Sequence, residues 1–247
     1  MKIKLLCCLF AAVIFLSACQ SITNKMDGFE LPPAVVIFTF DDGPNGHDDT
    51  TARLLDVLKK YEVKAMFSLL GENVEVFPDL VRRIYNEGHI IINHGYYDKV
   101  ANTMNSDQFR ENLLMCESAI STALGKEFYP KLYRPHGGFF SSRQHEICRE
   151  EGYVIVPGNI RVYDAVIPEA KRDKVIERVI KKVVDNNGGI ILLHDSRDSH
   201  YKKTRNLERN PHGVYNRSWI PEATEEIILA LLAKGFELRS GLSILEY

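Results

Sequence analysis

Cysteine is scarce in this 247-residue chain, and three of its five cysteines, Cys7, Cys8 and Cys19, fall at the N-terminus. Only Cys116 and Cys148 remain for the body of the protein, too few for a disulfide framework, and spacing alone cannot show whether those two pair. An excess of either charge is missing too. Without Lys2 and Lys4 the 31 basic residues become 29, against 33 acidic ones. Such a mildly acidic, mixed surface argues against nucleic acid as the main partner. There is no internal repeat and no low-complexity segment. The apolar run at residues 5–16 is shorter than the roughly 20 residues a membrane-spanning helix needs.

What that run does form, in "MKIKLLCCLFAAVIFLSAC", is an export signal: lysines, an apolar stretch, then small residues. The cleavage region "LSAC" resembles the bacterial lipobox, which implies that Cys19 is lipidated on sulfur and becomes the new N-terminus. Two or more acyl chains on one residue hold a protein to a membrane stably, where a single chain does not. The chain therefore divides into a signal peptide at 1–18, a lipidated Cys and polar tether at 19–33, and one domain at 34–247. Fully extended, the tether "QSITNKMDGFELPP" reaches roughly 50 Å at about 3.3–3.6 Å per residue. The expected location is extracytoplasmic, close to a bacterial membrane, as a monomer.

Within the domain, short apolar runs alternate with longer amphipathic ones. Strands are predicted at 35–40, 64–70, 89–93, 131–134, 153–157, 190–194 and 236–239, and helices at 49–60, 77–87, 106–124, 141–151, 171–186 and 221–234. Ser106 reads as an N-cap, and Gly88, Gly125, Gly152 and Gly235 stand just past helix ends. This alternation implies a parallel sheet with right-handed crossovers, open or closed into a barrel. One segment breaks the rhythm: residues 196–222, basic and dotted with aromatics, are too long for a simple connection.

Polar residues collect at the carboxyl ends of the strands, which share one face in a parallel α/β sheet and carry catalytic groups there. Asp41 and Asp42 follow the first strand in "VVIFTFDDGP"; His94 and Asp98 follow the third in "INHGYYD"; Arg134 ends the fourth in "YRPHGG"; His194 and Asp195 end the sixth in "GGIILLHD". Two adjacent carboxylates at a buried strand end need compensation by solvent, a basic partner or a metal. His94 and Asp98 are four residues apart, so one helical turn would offer both to one ion, and Asp42 would complete three protein ligands. Arg134 would orient Asp41. His194 suits a general acid because an ordinary imidazole titrates near neutrality.

Together these motifs resemble the polysaccharide deacetylases, carbohydrate esterase family 4, which share the NodB-homology domain. "TFDDGP" matches the opening motif, "GHIIINHGYYD" is similar to the second, "RPHGG" to the arginine motif, and "GGIILLHD" to the closing one. The resemblance implies a distorted (β/α) barrel with about seven parallel strands. It also implies one divalent ion, zinc first, with cobalt, manganese or iron as alternatives, and release of acetyl groups from a sugar amine or hydroxyl. Carried over, Asp41 is the general base, Asp42 and His94 are metal ligands, Arg134 orients Asp41, His194 is the general acid, and Leu192 lines the acetyl pocket. An acetylated glycan such as peptidoglycan or exported poly-N-acetylglucosamine is the expected substrate.

The sequence departs from that family twice. The second metal histidine is Asp98 and the residue after the first is Gly95, so an Asp-His-Asp set would favour harder ions, with His47 as a substitute ligand. In "PGNIRVYDA" the acid that supports the catalytic histidine is replaced by Asn159, while Asp164 stands nearby. Tyr96, Phe139, Phe140, Tyr215 and Trp219 are placed to stack on sugar rings at the mouth. The altered motifs also allow a non-catalytic glycan-binding lipoprotein, and the fold an amidohydrolase acting on a small amide. Retention of Asp41, Arg134 and His194 favours catalysis, because binding alone needs neither base nor acid.

Overall fold

The computed structural model describes residues 31–138 and 141–241. The signal segment, Cys19, most of the tether, Phe139 and Phe140 lie outside the described residues.

The first strand, β1 (Val35–Gly43), is buried along its whole length, and its alternation divides two cores. Val36, Phe38 and Phe40 face a large cluster beneath the helices. Ile37 faces a smaller one with Met66, Ile90, Ile92, Leu132, Val156 and Ile190, which is the inside of a curled sheet. Because side chains alternate, Thr39 and Asp41 continue the Ile37 row and point inward.

The other strands are β2 (Met66–Leu69), β3 (Ile90–Asn93), β4 (Leu132–Tyr133), β5 (Val154–Ile155), β6 (Ile160–Arg161) and β7 (Gly189–His194). These seven lie side by side in the order β5-β4-β3-β2-β1-β7-β6, and β8 (Glu237–Leu238) pairs with the start of β1. Every pairing is parallel. Among the described residues β5 and β6 do not pair, so the sheet is a distorted (β/α) barrel left open at one seam. All the carboxyl ends share a rim, as the alternation of the sequence requires.

The helices are α1 (Thr50–Lys60), α2 (Gly71–Val76), α3 (Pro78–Asn86), α4 (Ser106–Leu124), α5 (Ser142–Glu150), α6 (Arg172–Asn186), α7 (His200–Arg209) and α8 (Ile220–Ala233). Two were not expected. With six residues, α2 is too short to show a period, and α7 buries only Lys203 and Leu207, so its sequence has no apolar stripe. The long segment after β7 is therefore partly helical. The cap of α4 is Asn105, whose side chain accepts from Gln108 N in a capping box, and Ser106 is the first helical residue. All four glycines expected at helix ends have positive φ. Cys116 and Cys148 are buried and unpaired. No described helix is long and apolar enough to cross a membrane.

Candidate active site

Neighbouring residues of a regular strand point to opposite faces, yet Asp41 and Asp42 line the same cleft. The reason is a bulge. The register of β1 against β2 shifts between Asp41 and Gly43, and Asp42 takes a left-handed φ of 69°. A bulge re-aims a side chain in this way. It carries a backbone strain of about 1–3 kcal/mol, of the sort that gathers at functional sites. Gly43 then lies directly on the closing motif: a Cβ there would sit 2.7 Å from Asp195 Oδ1. Asp195 is buried beneath it, accepts a hydrogen bond from Thr51 Oγ1, and is pushed by burial to about 6.

Arg134 is spent entirely inside the protein. Its Nη1 donates to Asp41 Oδ1 at 2.6 Å and to Thr39 Oγ1 at 2.8 Å, its Nη2 to Pro157 O at 2.9 Å and its Nε to Val156 O at 3.3 Å. The inward row of β1 thus ends in a carboxylate with one oxygen fixed. The other, Oδ2, is 3.9 Å from His94 Nε2.

A cation-binding group stands beside it. Asp42, His94 and His136 each offer one ligand atom within 4.8 Å of the others. His94 Nδ1 donates to Arg134 O at 2.8 Å, which leaves Nε2 facing Asp42 Oδ1 at 3.3 Å. His136 Nε2 is 2.7 Å from Asp98 Oδ1, which leaves Nδ1 facing Asp42 Oδ1 at 3.6 Å. Both Asp42 Oδ1 and His136 Nδ1 are buried without a hydrogen-bond partner. Orphaned polar atoms of this kind call for an explanation, and a divalent ion between them is the one that fits. Two imidazoles, each with its far nitrogen tied back, and a carboxylate suit a catalytic site of the zinc or cobalt type.

Asp98, expected as the third ligand, is therefore found one step further out, holding His136. The residue that the sequence reading missed did carry a signal: His136 follows Arg134-Pro135 at the same strand-end rim as the other site residues. Burial alone would raise the Asp42 carboxyl, but His136, His94 and the charge of His194 hold it well below the carboxylate range. Burial lowers His136, yet Asp42 and Asp98 on either side outweigh it and carry it to about 10. From α7, Lys202 ion-pairs with Asp198 and lies 3.8 Å from Asp98. The departure at Gly95 also has a local cause. With φ of 89° and a notional Cβ 2.4 Å from Asn112 Nδ2, this loop leaves no room for a side chain.

His194 pairs with Asp41 across β7 and β1. Its Nδ1 donates to Asp164 Oδ1 at 2.9 Å and its backbone N to Asp164 Oδ2 at 3.0 Å. Asp164, not Asn159, is the supporting acid. Asn159 instead accepts from Ile190 N at 2.7 Å, a strand tie. Arg217 in turn donates to Asp164 Oδ2 and O and to His194 O, and both Asp164 and Arg217 side chains are fully buried. Burial pushes His194 down, but Asp164, with Asp42 and Asp41, raises it to about 9.

Of the residues expected to meet substrate, Leu192 and Tyr215 line the cleft. Trp219 does not: it is 2% exposed, with its Nε1 donating to Asn216 O at 3.0 Å. Tyr96 lines a separate groove beside α3 and α4, where its hydroxyl donates to Glu75. His47 is half-buried and sits against Asp48, outside the cleft.

The chain is similar to proteins of known activity. The family model described as polysaccharide deacetylase matches residues 30–156. A peptidoglycan-N-acetylglucosamine deacetylase of Bacillus cereus is 35% identical over 169 residues, which span 68% of this chain and 58% of that protein. The peptidoglycan-N-acetylmuramic acid deacetylase PdaA of Bacillus subtilis is 33% identical over 187 residues, 73% of this chain and 68% of that protein. A family 4 acetyl xylan esterase from Clostridium thermocellum, solved with a cobalt ion, superposes with a TM-score of 0.68 at 31% identity, over 86% of this chain and 90% of that one.

Proposed function

Because this chain belongs to the polysaccharide deacetylase family, we propose that it is a metal-dependent hydrolase that removes acetyl groups from an N-acetylated glycan of the cell envelope, peptidoglycan before poly-N-acetylglucosamine. The observation that carries this reading is the placement of a fixed carboxylate, Asp41, beside His194 in the cleft that also holds the orphaned ligand atoms of Asp42 and His136. A binding protein needs no such set.

Asp42 Oδ1, His94 Nε2 and His136 Nδ1 would hold the ion. When bound, it supplies Lewis-acid chemistry, polarising the acetyl carbonyl and making water acidic near neutral pH. Asp41, with Oδ1 held by Arg134, presents Oδ2 to take the proton of the attacking water. His194, with Nδ1 engaged by Asp164, presents Nε2 to the leaving nitrogen and gives it a proton as the carbon–nitrogen bond breaks. Leu192 offers an apolar wall to the acetyl methyl. The lipobox-like "LSAC" supports tethering through Cys19, which would confine the reaction to glycan near the membrane.

The test is acetate release from N-acetylglucosamine oligomers and from peptidoglycan, after chelation and again with zinc, cobalt or manganese restored. Removing a positioned acid or base typically costs about 10²–10⁴-fold in rate, so Asp41→Asn and His194→Ala should each fall by that much in the ion-loaded protein. Release that survives chelation or the Asp41→Asn change would overturn the proposal.

A further inference from the structure

The cleft holds a cavity of about 450 Å³. Nearly every charge on its wall is answered by a neighbour. Asp41 pairs with Arg134, Asp98 with His136, and Asp198 with Lys202. Arg161 and Arg197 are different. Both are half-buried and line the cavity, and among the described residues neither has a carboxylate partner.

Their donors are mostly unspent. Arg161, on β6, donates from Nε to Gly158 O at 2.8 Å, and its guanidinium lies against Gly138, with Nη1 2.9 Å from a notional Cβ there. Arg197 donates from Nη1 to Ala165 O at 2.9 Å and stacks on the Tyr215 ring at 4.8 Å. Arg134 and Arg217 show the contrast: structural arginines at this site use all their nitrogens on protein acceptors. Leu192, facing the same cavity, pairs in register with Arg161 across β6 and β7.

A planar guanidinium with free donors is suited to a carboxylate, which it grips with two parallel hydrogen bonds. We infer that Arg161 and Arg197 recognise a carboxylate borne by a sugar of the glycan, at or next to the residue being deacetylated, such as the ether-linked lactyl group of a muramyl sugar. This rests on the glycan deacetylase reading and deepens it: an acidic strand is preferred over a neutral N-acetylglucosamine oligomer.

The experiment uses the full chain in detergent, loaded with zinc, and three substrates. These are muramyl-containing strands stripped of peptide, the same strands with their lactyl carboxylates methyl-esterified, and strands with peptide stems intact. The ratio of kcat/KM on charged to esterified strands should be about tenfold or more, of the size expected for one charge-assisted pair. It should shrink as salt rises, because the half-buried pair is partly screened. In Arg161→Gln or Arg197→Gln that ratio should fall towards unity. Equal rates on charged and esterified strands, or an unchanged ratio in both variants, would overturn the inference. So would a preference seen only with stems intact, which would make the peptide carboxylates the ligand. If no strand releases acetate, the catalytic reading fails, and direct binding decides this one separately. Tighter binding of the charged strand, lost in Arg161→Gln, supports it; equal binding sinks it.

Discussion

Removing the Asp98 carboxylate should weaken metal binding without abolishing the site. Asp98 Oδ1 is 2.7 Å from His136 Nε2, and its side chain is only 15% exposed, so water screens the pair weakly. It fixes which imidazole nitrogen carries the proton and so leaves Nδ1 free to ligate. Deleting an outer partner of this kind lowers metal affinity about 10–100-fold, or about 1.4–2.7 kcal/mol. Asp98→Ala should fall within that range. Asp98→Asn should fall at its weak end, since the amide oxygen can still accept from Nε2 although the charge is lost. His136→Ala removes one of the three proposed ligands and should exceed both. The assay is zinc titration by calorimetry or chelator competition, with no substrate present. If Asp98→Ala costs as much affinity as His136→Ala or more, then Asp98 is itself a ligand and the assignment is wrong.

The His194–Asp164 pair makes a pH prediction. As a general acid His194 must be protonated, so kcat/KM should fall on the alkaline side. With a bound dication countering Asp41 and Asp42, that limb should lie between the ordinary 6.5 and about 9, and Asp164→Asn should move it downward in a rate profile. In the ion-free protein the raised histidine contributes stability that is full below 6.5 and is lost as pH rises through about 9. Urea unfolding at two pH values would detect this. Asp164→Asn also strands the buried Arg217, so unfolding free energy should drop by about 3–5 kcal/mol; a loss under 1 kcal/mol would contradict the burial argument. Gly43→Ala should lower the melting temperature and the activity together, because its Cβ would lie 2.7 Å from Asp195 Oδ1. A variant as stable as the parent would show that the strand end can shift. Trp219→Phe should lose stability, and its KM should be unchanged in the same acetate assay, because the ring is buried and away from the cleft.

Much of this site was legible because local rules place it. Alternating strand and helix patterns imply a parallel sheet, parallel strands share a carboxyl rim, and Asp41, His94, Arg134 and His194 each stand at such an end. The side-chain period of two puts Asp41 on the inward row with Thr39, where Arg134 finds both. The missing helices, α2 and α7, have sequences without an apolar stripe, since one is short and the other rides on the surface.

The chain alone therefore determined which elements form, where their polar ends gather, and which residues are chemically able to act. Only the fold decided which of them meet. Spacing within one loop suggested Asp98 beside His94, but the ligand atoms that converge come from three strand ends. A bulge turns Asp42 inward, and Asp98 is taken up by His136. Asp164 reaches His194 in the same way, through the packing of Arg217 beneath both. Distances between separate loops depend on how the sheet curls and what packs under it, and no local pattern of residues encodes that.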